Sequence, residues 1–151
     1  MTNYELASLF ISAISLCFSL FAFFSSRKTE AAQVELYINE RITNTKEKVS
    51  EQANIIAPLK AKKDLSAEEQ RLKELYEAGF NAAVENNLNA YEEACAKYLD
   101  GKADRNRFKK SYKKEIKQLV EMAALKKYFD AVSSPYKAIL KTYDEWENLE
   151  K

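Results

Sequence analysis

The chain has 151 residues, with 24 Lys and Arg against 23 Asp and Glu (net charge +1), two Gly, two Cys and no His. Without His there is no Ser-His-Asp or Cys-His dyad and no imidazole metal ligand. Gly79 and Gly101 stand too far apart for a phosphate-cradling or dinucleotide loop, and two Cys make neither a structural zinc site nor a disulfide framework. No catalytic residue, metal ligand or cofactor is assigned, and the chain reads as a non-enzyme.

Residues 6–26 carry no charge. As a helix they would rise roughly 30 Å, the thickness of a bilayer's hydrocarbon core. A cleaved signal peptide fits poorly, because no Lys or Arg precedes the run and no small-x-small site lies before Arg27-Lys28. The sequence therefore predicts a transmembrane anchor over residues 1–28. Only Glu5 precedes the run, while Arg27, Lys28, Arg41, Lys46 and Lys48 follow it. The positive-inside rule then gives a single-pass membrane protein, N-terminus outside and C-terminal domain cytoplasmic, with membrane lipid as a partner.

Ser8, Ser12, Ser15, Ser19, Ala22 and Ser26 follow one another at intervals of 4, 3, 4, 3 and 4. Such a heptad of small residues suits a close helix–helix contact and predicts a homo-oligomer. Serines bonded to their own i−4 carbonyls are the alternative.

From residue 29 the chain is polar but periodic, with Val34, Ile38, Ile42, Val49 and Ile56 at helical spacing and no Gly or Pro before Pro58. This predicts a helical stalk over 29–58, its stripe too thin for a globular core. Residues 66–151 then read as a cytosolic bundle of about three helices. Ser66-Ala67-Glu68-Glu69 is a capping box. The helix behind it carries Leu72, Leu75, Phe80, Val84, Leu88, Tyr91, Cys95 and Tyr98 on one face, and Gly101 closes it. Asp104 caps a second helix with Phe108, Tyr112, Ile116 and Leu119 inward. Ser133-Ser134-Pro135 opens a third, Pro135 at its first position, with Tyr136, Ile139, Leu140, Tyr143, Trp146 and Leu149 on one face. No segment alternates with period two, so the predicted class is all-α.

Charge is segregated along this part. Residues 66–100 hold three basic and eight acidic side chains, and residues 101–129 hold ten basic and three acidic. Arg105, Arg107, Lys109, Lys113 and Lys114 on the second helix are the candidate ligand-binding residues, for an anion. Alternatively Arg105, Lys109, Lys113 and Lys117 form a solvated ridge partly balanced by the acidic helix, or the basic helix meets anionic lipid headgroups. Asn81, Asn86, Asn87 and Asn89 cluster near the apolar stripe, as interhelical hydrogen-bonding groups or as partners for base edges. Asp100-Gly101-Lys102-Ala103-Asp104 lacks the alternating acidic ligands of a calcium loop and is read as a capping turn.

One membrane helix, a stalk, and the runs Phe80-Asn81-Ala82-Ala83, Leu88-Asn89-Ala90-Tyr91-Glu92, Tyr98-Leu99-Asp100-Gly101-Lys102 and Phe108-Lys109-Lys110-Ser111-Tyr112 resemble small one-pass bacterial membrane proteins from prophage and antiviral-defence loci. More loosely, the plan is similar to the membrane effectors of type III CRISPR systems. That resemblance implies a cytosolic helical domain that binds cyclic oligoadenylate, and a membrane part that impairs the envelope. It transfers no binding residue position by position. The expected function is a non-enzymatic, membrane-anchored effector or sensor acting through oligomerised membrane helices, with no DNA duplex as partner. A membrane-tethered adaptor recruiting a protein partner and a holin-like toxic membrane protein are the alternatives.

Overall fold

No Gly or Pro interrupts the chain before Pro58, and a single helix, α1 (Asn3–Ala61), results, with Pro58 in its last turn. The computed structural model describes the backbone of residues 3–130 and 132–148, and the side chains of residues 12, 14–130 and 132–148. Four further helices follow: α2 (Ala67–Leu99), α3 (Arg105–Glu121), a 3-10 helix (Ala123–Tyr128) and α4 (Lys137–Asn148). Among the described residues there is no strand.

Local chemistry sets the ends of these helices. Ser66 Oγ accepts from the Glu69 amide at 3.2 Å, and Glu69 Oε2 accepts from the Ser66 amide at 2.9 Å, a complete capping box. At the far end of α2, Gly101 takes φ +70°, which costs glycine little. Its amide donates to the Tyr98 carbonyl and the Lys102 amide to the Lys97 carbonyl, a Schellman closure. Asp104 Oδ1 accepts from the Arg107 amide at 2.9 Å and so caps α3.

α4 is capped differently. It begins at Lys137, two residues after the expected Pro135, because Glu92 of α2 reaches its free amides. The two carboxylate oxygens accept from Ala138 and Ile139 at 2.8 and 2.9 Å. Ser134 meanwhile donates to the Tyr128 carbonyl and accepts from the Tyr136 amide.

α1 and α2 pack antiparallel. Tyr37 bonds Glu93, Thr45 bonds Asn87, and Lys60 pairs with Glu77, so contacts run in opposite directions along the two helices. At Gly79 the helices approach so closely that a Cβ would lie 3.0 Å from Gln52 Oε1. Ile38 and Ile42 of α1 join Leu88, Tyr91, Ala94, Cys95 and Tyr98 of α2, Phe108 and Ile116 of α3, and Ile139 and Trp146 of α4 in one core. Tyr98 stands at its centre. Its ring stacks on Phe108 at 5.1 Å and meets Trp146 edge-on at 5.4 Å. Its hydroxyl accepts from Trp146 Nε1 and donates to Glu145.

These contacts correct several expectations. Residues 29–58 are not a separate stalk beside a three-helix bundle, because Ile38, Ile42, Thr45 and Ile56 are buried against the other helices. The narrow stripe suffices since α2 supplies its partner face.

The transmembrane anchor is overturned as well: no helix among the described residues is long and apolar enough to cross a membrane. The described uncharged side chains at 14–26 span only about 20 Å as a helix, are interrupted by Ser15, Ser19, Ser25 and Ser26, and end at Arg27-Lys28. The side chains at 6–11 and 13, Ser8 among them, lie outside the described residues. With the span fall the membrane-lipid partner, the single-pass inner-membrane topology, and the membrane-effector, tethered-adaptor and holin-like readings. The homo-oligomer rested on the small-residue heptad and the cyclic oligoadenylate on the basic helix and the resemblance, and neither partner has support in this structure.

Two outcomes test the helix ends. Glu92→Ala leaves two α4 amides unpaired and is expected to lower stability by about 1–2 kcal/mol in urea unfolding, with Glu92→Gln recovering part of the loss. At α2, the hydrogen bond from Lys62, and then those from the Ser66 amide and hydroxyl, hold the Glu69 carboxyl down at about 2, against an ordinary 4.5. A depressed carboxyl stabilises fully above its unfolded value, so the cap should weaken as pH falls from about 4.5 toward about 2. The protection factor of the Ser66 amide, which is referenced to the intrinsic exchange rate at each pH, should fall across that window, and unchanged protection would refute the assignment.

Candidate anion-binding face

α3 has two chemically opposite sides. Phe108 and Ile116 are buried, and Tyr112, Leu119 and Val120 pack partly against the core. At 3.6 residues per turn, the side chains left facing outward are those between these positions. They form two i, i+4 rows: Asn106, Lys110 and Lys114 in one, Lys109, Lys113 and Lys117 in the other. Together they line a shallow surface trough of about 580 Å³.

The five residues expected to bind a ligand divide here. Lys109, Lys113 and Lys114 come together in the trough. The two arginines do not join them. Arg105 lies over the Tyr98 ring at 5.4 Å, and Arg107 reaches back to Glu35 of α1 at 3.1 Å. Both side chains remain at the surface, outside the trough, Arg107 being 71 % exposed. Lys110 and Asn106 were not among the expected ligand residues and Lys117 only in the solvated-ridge alternative, although their i, i+4 spacing with the expected lysines was a usable signal.

Lys117 lies between two acidic neighbours, Glu147 of α4 at 2.8 Å and Glu121 at 3.7 Å. The hydrogen bond to Glu147 comes first among the causes that raise its proton affinity. Among the described residues, Lys109, Lys110 and Lys114 have no acidic partner within ion-pair distance.

Elsewhere the polar groups are occupied with one another. A groove of about 490 Å³ between α1 and α3 is bridged by Arg107–Glu35 and by Lys46–Glu115 at 2.7 Å. Partial burial acts to raise the Glu115 carboxyl, but hydrogen bonds from Lys46 and Tyr91 outweigh it and hold it below the ordinary range. Burial, then the bond to Glu115, pushes the Tyr91 phenol far up. A wider cleft of about 890 Å³, between α1 and the end of α2, mixes Arg27, Lys97 and Lys102 with Glu30, Glu93 and Asp100. Its charges balance in sign.

The stripe at Ser12, Ser15, Ser19, Ala22 and Ser26 is exposed, and Ser19 donates to the Ser15 carbonyl at 2.9 Å, the self-satisfied alternative. Of the asparagines, Asn87 makes an interhelical bond, to Thr45. Among the described residues, no three Cys, Asp or Glu side chains converge to hold a metal ion.

Neither the family models, nor the curated proteins, nor the solved structures with which the chain was compared match it.

The two thiols differ in chemistry. Burial pushes Cys95 up to about 12, with Glu92 adding to the shift and Thr142 opposing it, whereas Cys17 is exposed. Iodoacetamide at neutral pH should alkylate Cys17 in the folded protein and spare Cys95 until denaturant is added. Mass spectrometry of the labelled peptides checks this, and rapid native labelling of Cys95 would contradict its burial.

Proposed function

We propose that the protein is a non-enzymatic binding module that docks a phosphate-bearing polyanion on the outer face of α3. The observation that carries this reading is the double row of lysines, of which Lys109, Lys110 and Lys114 face outward without an acidic partner while both neighbouring arginines are held by Tyr98 and Glu35.

The arrangement runs against helix stability. α3 has no acidic residue in its first turn and no basic residue in its last, so its lysines gain nothing from the macrodipole. Like charges three and four residues apart also repel one another by a few tenths of a kcal/mol per pair. A polyanion removes that repulsion and releases its own condensed counterions, which makes the binding salt-dependent. Ammonium groups act here as point charges, without the fork that arginine offers a single phosphate or carboxylate. An extended polyanion therefore suits the face better than one small anion in a closed pocket.

Retention on immobilised heparin tests the reading. The wild-type chain should bind at low salt, and Lys109→Glu with Lys113→Glu should elute at clearly lower salt. A variant of equal net charge, Lys48→Glu with Lys63→Glu, should elute close to the wild type, because both of those lysines lie outside α3. Absence of retention, or equal losses in both variants, would overturn the assignment of the face.

A further inference from the structure

Resting on that reading, we infer that the polyanion is a nucleic-acid double helix, gripped through its phosphates without reading of its bases. Three features of α3 point this way.

The first is the absence of a stacking platform. Binding of single strands depends on aromatic rings that receive unstacked bases. No residue lining the α3 trough is aromatic. Phe108 is 2 % exposed, and its ring packs on Tyr98 and Tyr112. Tyr112 extends its hydroxyl toward Asn39 of α1, on the side away from the lysine rows.

The second is the doubling of the rows. Lys109 and Lys113 stand about 100° around the helix from Lys110 and Lys114, and each step along a row rises about 6 Å. A helix is roughly 10–12 Å across and the B-form major groove roughly 12 Å wide. Laid along that groove, α3 presents one row to each flanking backbone. A single strand offers only one backbone, and at lower charge density.

The third is the kind of side chain. Base reading in the major groove rests largely on bidentate Arg, Asn or Gln. Arg105 and Arg107 are turned onto Tyr98 and Glu35, and Asn106 is the one neutral polar side chain in the trough. Lysine contacts to phosphate fix position and carry no sequence information. A duplex partner is the reverse of what the sequence led one to expect.

The experiment is fluorescence anisotropy of the full chain against a labelled blunt duplex of arbitrary sequence, a second duplex of unrelated sequence, and each strand alone, over a salt series. Both duplexes should bind alike, and about tenfold tighter than either strand at low salt, given the duplex's higher charge density. Lys109→Gln with Lys113→Gln, and separately Lys110→Gln with Lys114→Gln, should each weaken duplex binding and lower the salt slope by about 2, roughly one per lysine. Lys48→Gln should leave it unchanged, and circular dichroism confirms that each variant is folded. Strands bound as tightly as duplexes, or a marked preference between the two duplexes, would overturn the inference and leave the polyanion reading standing. Duplex binding insensitive to either lysine row overturns it too. Binding to no nucleic acid and none to heparin removes both.

Discussion

The ring of Tyr98 ties three helices together, and the orientation of α3 depends on it. It stacks on Phe108 of α3, meets Trp146 of α4 edge-on, accepts the indole N–H and donates to Glu145. Its outer surface carries the Arg105 guanidinium. A buried phenol needs a partner for its hydroxyl, and here the partners come from the helix that Tyr98 packs against. Apolar contact and polar satisfaction thus select the same arrangement. Once Phe108 is seated, the helical period leaves the lysines of α3 on the far side.

α1 and α2 supply the frame for this cluster. Their antiparallel register sets Gly79 against the Gln52 side chain, where an added Cβ would meet Oε1 at 3.0 Å, and sets the buried Thr45 hydroxyl against Asn87. Across the wider gap between α1 and α3, long side chains bridge instead, as in Arg107–Glu35 and Lys46–Glu115. Exposed ion pairs contribute little to stability, typically less than about 1 kcal/mol. Their larger consequence is to occupy charges that would otherwise join the basic face. The arginines are withdrawn and the lysines remain.

Much of this was legible where the signal is short-range. The Ser66 capping box, the Asp104 cap and the Gly101 closure depend on residues within a few positions of one another. The inward faces of α3 and α4, and of α2 from Leu88 onward, follow from apolar spacing, whereas Leu72 and Leu75 near the start of α2 are exposed. The site was only half legible: Lys109, Lys113 and Lys114 belong to the trough, but Arg105 and Arg107 were assigned by charge, which does not say where a long side chain turns. The membrane span rested on the uncharged run at 6–26 taken whole, whereas the side chains at 6–11 and 13 lie outside the described residues and no helix among the described ones is long and apolar enough to cross a membrane.

By itself, the sequence determined an all-helical chain, the inward faces of its shorter helices and the concentration of positive charge on α3. Periodicity and capping act over one or two turns and need no distant partner. Tertiary structure alone decided that residues 29–58 belong to the core, because a stripe of single isoleucines becomes buried only when α2 covers it. It also decided the start of α4, set by a carboxylate 46 residues earlier in the chain, and which cations face outward. Each of these depends on groups brought together by packing, and packing distance is not encoded in spacing along the chain.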